Sequence, residues 1–262
     1  GWNAALLGWR AGGGRVVSVE TGRALAEQAQ QRLTGAGVDV AVVVGDGGRG
    51  WLAGAPYDRV ISTYAVEVVP WAWVAQCRPG GRIVTPWGRL GHVGLTVAED
   101  GRCASGRVRG LAQFMPARGT ATGRRWAEVR GDGEPEDERP VGRDLQPLHA
   151  DWTLKFALRV MLPEVQIRTA VDEDGVNAWL HDGASSWAML AAVGGGQTVA
   201  YQGGPRRLAD ALEAAWEAWD GEGRPSVCEW GMTVAPDGQY MWLRDRERGR
   251  RWPAAPAAAS VA

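Results

Sequence analysis

The sequence predicts an α/β chain: a doubly wound parallel sheet with an antiparallel edge, followed by a smaller α+β region. Three observations carry this. From Val16 to Pro86, short valine-rich runs without polar alternation are interleaved with helical segments. Strands of that kind are buried on both faces and pair in parallel. After Gly88 two strand-like runs flank the turn Glu99-Asp100-Gly101, which marks an antiparallel edge. From Asp151 short strands are punctuated by Asp174-Gly175 and Asp182-Gly183, ahead of one strongly amphipathic helix.

The elements follow in order. Trp2 to Ala11 reads as a helix, with Ala4, Leu6, Leu7 and Ala11 available for an apolar face, broken by Gly12, Gly13 and Gly14. Val16, Val17 and Val19 make a strand ending at Glu20, and Thr21 is placed to cap a helix from Arg23 to Gly35. Val38 to Val44 and Tyr57 to Ser62 are the next strands. Pro70 opens a helix toward Cys77, and Pro79-Gly80-Gly81 turns into a strand from Arg82 to Pro86. Gly94 to Val97 and Ala104 to Val108 form the antiparallel edge. Residues 119–150 lose periodicity, and the acidic stretch Gly131 to Glu138 reads as a solvated linker. Gln166 to Val171, Asn177 to His181 and Trp187 to Ala192 are strands, and Pro205 to Asp220 is a helix. Val227 to Val234 and Gln239 to Leu243 form a hairpin around Pro236-Asp237-Gly238. The division expected is therefore 1–118, a linker or extended loop at 119–150, an α+β domain at 151–245, and a disordered Ala/Pro-rich tail at 246–262.

Composition narrows the partners. Net charge is −1 over 262 residues, so no basic field draws nucleic acid or an anionic membrane. No apolar run is long enough to span a bilayer. Cys77, Cys103 and Cys228 are scattered, as are His92, His149 and His181; neither set has metal-ligand spacing, so no metal site is expected. Such an odd set of cysteines fits a reducing cytoplasm. The chain begins at Gly1 rather than Met, and a preceding segment is expected.

In an open α/β sheet a ligand sits beyond the carboxyl ends of the strands. Three groups fall there. Gly1 precedes the helix starting at Trp2, whose free N–H groups and dipole favour a polar ligand. Glu20 ends the first strand and is suited to accept from ribose hydroxyls. Gly45-Asp46-Gly47 ends the second, where Asp46 can accept from an adenine amino group. Singly, a strand-end Glu is more often solvated and an Asp between glycines is more often a turn. Their succession at neighbouring strand ends is the specific signal.

These residues resemble the protein-L-isoaspartate O-methyltransferases over about residues 1 to 118. Gly1-Trp2-Asn3-Ala4-Ala5-Leu6-Leu7 is similar to the end of that family's first motif, and Val17-Ser18-Val19-Glu20 to its ribose-binding strand. Gly45-Asp46-Gly47 through Gly50-Trp51, then Ala55-Pro56-Tyr57-Asp58, resembles its adenine loop and next strand. Arg78-Pro79-Gly80-Gly81-Arg82-Ile83-Val84 resembles its strand-entry turn. The resemblance implies a Rossmann-like methyltransferase sheet and S-adenosyl-L-methionine as cofactor, held by Gly1, Asn3, Glu20, Thr21, Asp46, Gly47 and Thr63. Tyr64, Ala65, Val66 and Glu67, with the late segment Phe114-Met115-Pro116, stand on its substrate side. Tyr64 and Glu67 depart from the family's alanine-rich loop, and Glu67 is expected to be solvated or paired with an arginine rather than a base. The implied reaction is in-line methyl transfer to a carboxylate already ionised at neutral pH, which needs positioning more than a strong base. No catalytic residue is therefore assigned.

Motifs in the second half, Ser185-Ser186-Trp187-Ala188, Gly203-Gly204-Pro205-Arg206-Arg207-Leu208 and Gly231-Met232-Thr233-Val234, resemble the C-terminal domain of actinobacterial members linked to lanthipeptide and graspetide maturation. That implies an Asp carboxylate in a cyclised precursor peptide as acceptor, leading to aspartimide or isoaspartate. General repair of isoaspartyl proteins, and a non-catalytic peptide-binding module, are the alternatives. Most tryptophans are expected in the core; Trp152, Trp187 and Trp242 are candidates to line a peptide groove, and Arg206 and Arg207 to bind an acidic peptide.

Overall fold

The computed structural model describes residues 1–88, 90–118 and 123–254. Its first layer comprises α1 (Trp2–Ala11), β1 (Val17–Glu20), α2 (Arg23–Gly35) and β2 (Ala41–Val44). β1 and β2 pair in parallel, with Glu20 opposite Val44. Ala4, Leu33 and Val40 form a small core between them and the helices. Gln30 of α2 accepts from Val42 N at 2.9 Å and donates to Val40 O at 3.2 Å, fixing the helix against β2. The second strand starts later than the Val38 expected. Val38 N is committed to Leu33 O and Val40 N to Val38 O, so the chain is still turning there. Thr21 does not cap α2: the cap position is Gly22, and the Thr21 hydroxyl reaches Glu20 Oε1 at 3.4 Å.

Next come β3 (Tyr57–Ile61), α3 (Trp71–Ala75), β4 (Cys77–Trp87), β5 (Gly91–Val97) and β6 (Ala104–Leu111). β3 and β4 are parallel; β4, β5 and β6 are antiparallel, as the sequence predicts. β4 begins before the Pro79-Gly80-Gly81 turn, not after it. Tyr57 pairs with Cys77 and Arg59 with Arg82, so the intervening residues bulge out of the ladder without ending the strand. Among the described residues β1 pairs only with β2, and β3 only with β4.

The segment expected to be a linker is ordered. It carries α4 (Trp126–Arg130), β7 (Asp137–Val141) and α5 (Gln146–Ala150); residues 119–122 lie outside the described residues. There follow α6 (Trp152–Met161), β8 (Gln166–Val171), β9 (Val176–His181), β10 (Trp187–Ala192), β11 (Thr198–Gly203), α7 (Leu208–Gly221), β12 (Trp230–Ala235), β13 (Gly238–Leu243) and β14 (Arg251–Pro253). One antiparallel sheet has the order β7-β11-β10-β9-β8. Residues 131–136 are irregular and mostly exposed, as expected, but the last two of the acidic stretch, Asp137 and Glu138, enter the edge strand β7, whose backbone pairs with β11 while Arg139 bonds Asp210 and Glu213 of α7. The other sheet has the order β14-β13-β12-β6-β5-β4-β3. Pairing of β12 with β6 extends the first region's sheet with strands from the end of the chain. The tail expected to be disordered instead pairs as β14 and buries Trp252; residues 255–262 lie outside the described residues.

Aromatic packing binds these parts. Trp87 of β4, Phe156 of α6, Trp230 of β12 and Trp252 of β14 form a continuous chain, with centroids 6.2, 6.3 and 5.0 Å apart. Each such ring removes a large apolar area from water, and the edge-on and tilted geometries add to that. This main core runs from Val66 to Ala254 and lacks any residue of the first layer.

Candidate active site

Parallel pairing sets Glu20 and the Gly45-Asp46-Gly47 turn side by side. Glu20 ends β1 opposite Val44, and Asp46 follows two residues later. Gly45 N donates to Glu20 O at 3.0 Å, carrying the pairing into the turn. Glu20 Oε1 accepts from Gly22 N at 2.9 Å, and Arg118 approaches it at 3.8 Å. Asp46 caps a short 3-10 turn at 47–49, its Oδ1 accepting from Gly48 N at 2.8 Å. Gly1 caps α1 and lies against Ala29 of α2; among the described residues neither it nor Asn3 bonds to Glu20 or Asp46. Thr21 and Thr63 are exposed.

The turn after Asp46 is held from α3. Trp73 Nε1 donates to Gly47 O at 2.7 Å. Gln76 accepts from Trp51 N and donates to Arg49 O, both at 2.8 Å. A side chain at Gly50 would collide with the Gln76 amide, and Gly50 has φ +65°. Tyr64 closes the other side. A Cβ at Gly47 would lie 2.8 Å from the Tyr64 hydroxyl, and the Tyr64 ring packs edge-on to Trp73 at 6.2 Å. Burial, and secondarily the Asp46 charge, push the Tyr64 phenol above its ordinary pKa, so it stays a neutral hydroxyl.

The loop from Ser62 to Pro70 forms the third wall. Ser62 Oγ donates to Tyr64 O at 2.7 Å and accepts from Tyr64 N. Ala65 N donates to Met115 O at 2.8 Å, and Ala117 N to Ala65 O at 3.0 Å. That pairing folds Phe114, Met115 and Pro116 back along the loop, with all three side chains exposed. Val66 pairs with Pro86 and Gly88 on its other side. Glu67 forms an ion pair with Arg159 of α6, and Trp87 Nε1 donates to Glu67 O at 3.0 Å. Gln239 of β13 donates to Val69 O and accepts from Val69 N, both at 2.9 Å. A pocket of about 290 Å³ lies between these walls, lined by Asp46, Gly48, Tyr64, Glu67, Val68 and Ala117 among others.

The pocket brings together Asp46, Tyr64, Val66 and Glu67; Glu20 lies beside the Asp46 turn through the pairing of β1 with β2, and Ala65 beside the 114–116 segment, while Thr21 and Gly47 do not line the pocket. Glu67 is paired with an arginine, as expected. Sequence reasoning missed Ser62, Trp73, Gln76, Arg118, Arg159 and Gln239. For the helix α6 that carries Arg159 a local signal existed: Asp151 accepts from Thr153 N and Leu154 N, an N-cap ahead of its apolar positions. The proposed peptide groove does not form from Trp187 and Trp242, which are buried against Trp126 and beneath Arg107 respectively; Trp152 is exposed, with Lys155 over its ring. Arg206 and Arg207 face carboxylates already present, Glu164 and Glu136.

Residues 1–113 match the family model "Protein-L-isoaspartate(D-aspartate) O-methyltransferase (PCMT)". Protein-L-isoaspartate O-methyltransferase 2 of Archaeoglobus fulgidus is 38% identical over 125 residues, covering 45% of this chain and 56% of that protein. The protein-L-isoaspartate O-methyltransferase of Pyrococcus abyssi is 37% identical over 121 residues, covering 44% and 55%. The chain thus spans about half the length of the curated relatives it matches. A solved protein-L-isoaspartate O-methyltransferase structure superposes with a TM-score of 0.51 at 20% identity, over 94% of this chain and 73% of that one. The likeness of fold therefore includes the C-terminal strands and helices. Over its first 113 residues the chain is similar to the protein-L-isoaspartate O-methyltransferases, a family of carboxyl methyltransferases that use S-adenosyl-L-methionine as methyl donor.

Proposed function

We propose that the protein is an S-adenosyl-L-methionine-dependent O-methyltransferase that esterifies an isoaspartyl or aspartyl carboxylate of a peptide or protein. The observation that carries this is the placement of Glu20 and Asp46 at the ends of two paired parallel strands. The donor set fits the cofactor. Glu20 uses Oε1 for Gly22 N, which leaves Oε2 for ribose hydroxyls. Asp46 uses Oδ1 for Gly48 N, which leaves Oδ2 for an adenine amino group. Gly47, with no side chain, keeps the wall open beside Tyr64. Gly1 and Asn3 at the start of α1, with Thr21 and Thr63, complete the proposed cofactor side.

When bound, the cofactor supplies an electrophilic methyl group. The protein's own task is then to hold an ionised carboxylate in line and exclude water. Tyr64, Ala65, Val66 and Glu67, covered by Phe114, Met115 and Pro116, form the proposed acceptor wall. Tyr64 contributes a hydroxyl that remains protonated. The three free thiols, Cys77, Cys103 and Cys228, favour a cytoplasmic setting.

A finer reading is that the acceptor is an Asp of a cyclised, ribosomally made precursor peptide. It is supported by the motif resemblance of the second half. Mass spectrometry of the full protein with S-adenosyl-L-methionine separates the acceptors. A gain of one methyl on an isoaspartyl peptide is expected. Methyl gain followed by loss of methanol only on the cyclised precursor would establish the finer reading. No methyl on any carboxylate peptide, despite measurable cofactor binding, would sink the assignment.

A further inference from the structure

Residues 64–70, the acceptor wall, are held by side chains far away in sequence. Arg159 of α6 pairs with the Glu67 carboxylate and lies over the Trp87 ring, 5.2 Å from its centroid. Trp87 in turn donates to the Glu67 carbonyl. Gln239 of β13 clamps both backbone groups of Val69, 170 residues away in the chain. Arg159 and Gln239 both lie beyond the segment that matches the family model. Both emerge from packed elements: Phe156 and Leu158 of α6 and Met241 of β13 are buried in the main core.

The pocket's charge adds a second consideration. Its lining includes two carboxylates, Asp46 and Glu67. An anionic acceptor entering it meets like charge, which raises its free energy in a partly dry site. The Arg159 side chain, only 17% exposed, places a positive charge directly on one of the two.

We infer that the C-terminal region sets the acceptor side of the site: Gln239 and Arg159 are positioning residues for the loop 64–70, and Arg159 also offsets the Glu67 charge that opposes a carboxylate acceptor. This rests on the methyltransferase reading above. It makes α6 and β13 determinants of acceptor affinity rather than of cofactor affinity.

The test uses the full chain with Arg159→Met, Arg159→Lys, Glu67→Gln, the double variant Arg159→Met/Glu67→Gln, and Gln239→Leu. KM for an isoaspartyl peptide, Kd for S-adenosyl-L-methionine, and amide exchange at Ala65, Val66 and Val69 are measured for each. Arg159→Met is expected to raise KM about three-fold, as the loss of one partly exposed ion-pair contact does, with cofactor Kd unchanged. Added salt should lower that KM. Lys should restore part of the affinity, and Glu67→Gln in the Met background most of it. Gln239→Leu should speed exchange at Val69 and raise KM without salt dependence. Equal KM in Arg159→Met and the double variant would overturn the electrostatic role. Unchanged exchange at Val69 in Gln239→Leu would overturn the positioning role. If the wild-type protein methylates no peptide, the methyltransferase reading fails separately; the exchange measurement still decides the anchoring, and peptide Kd replaces KM.

Discussion

The first layer and the main core meet at the candidate site, and they are built differently. In the first layer β1 and β2 have no fully buried residue, and α1 leaves Trp2 at 76% and Trp9 at 84% exposure. Its core is three residues. The main core packs two sheets and two long helices, and Ile83, Leu95, Leu190 and Trp230 are inaccessible or nearly so. The proposed cofactor residues Glu20 and Asp46 hang on the lightly packed layer. The proposed acceptor wall hangs on the heavily packed one. Local opening free energy follows buried apolar contact. The cofactor side should therefore open at lower cost than the acceptor side.

The largest effect expected tests that contrast directly. Trp230→Ala removes a buried ring that touches both Phe156 and Trp252. A loss of about 3–5 kcal/mol in global unfolding free energy is expected. Leu33→Ala should act locally: exchange at Val42 and Val43 speeds up while β5 and β12 keep their protection. If Leu33→Ala instead lowers protection in β5 as much as in β2, the two layers unfold as one and the contrast is wrong.

The next effect concerns binding. Glu20→Ala should weaken S-adenosyl-L-methionine by about 1–3 kcal/mol, the worth of charge-assisted hydrogen bonds. Calorimetric titration reads it. The melting temperature should hardly move, because among the described residues Glu20 Oε1 serves its neighbours Gly22 N and the Thr21 hydroxyl and, at a loose 3.8 Å, the exposed Arg118. Unchanged affinity would remove the ribose role from this carboxylate.

How much of this was legible in sequence follows the same division. The first layer is made of contiguous elements, and α1 and α2 have the bounds that glycine breaks and apolar spacing predict. Glu20 and Asp46 were legible because a strand end is a local property. The rest was not. The acidic residues around Asp137 form a strand because β11 offers them an edge, and nothing in their own periodicity says so. The bulge in β4 reads locally as a turn; β4 continues through it because β3 pairs with the residues on both sides. Arg159 and Gln239 reach the acceptor loop across 92 and 170 residues, through packing that no local pattern encodes.

A smaller effect probes the seam between the layers. Gly47→Ala would place a methyl 2.8 Å from the Tyr64 hydroxyl, so the ring end must move. A cost of about 1 kcal/mol is expected from such overpacking. In a Tyr64→Phe background the nearest atom is Cε1, at 3.5 Å, and the cost should vanish. Chemical denaturation of the four proteins closes the cycle. An undiminished penalty in the Phe background would place the strain elsewhere in the turn.

The smallest effect is pH dependence, and it belongs to the heavily packed region. His181 ends β9, and its Nδ1 accepts from Gly183 N at 3.2 Å. Burial first, and the Arg168 charge second, pull its pKa below the ordinary value, partly opposed by Asp182. The unfolded chain then binds a proton that the folded one resists. Stability from this residue is fully present above the unfolded pKa of about 6.5 and declines as pH falls from there toward the folded value. Urea unfolding between pH 8 and pH 5 should show that decline, and His181→Gln should flatten it. Opening of β1 and β2, read by amide exchange corrected for its intrinsic rate, should lack this slope, because that opening leaves His181 folded. A matching slope in both would mean that the first layer opens only when the whole molecule does, and the cofactor side would then share the stability of the acceptor side.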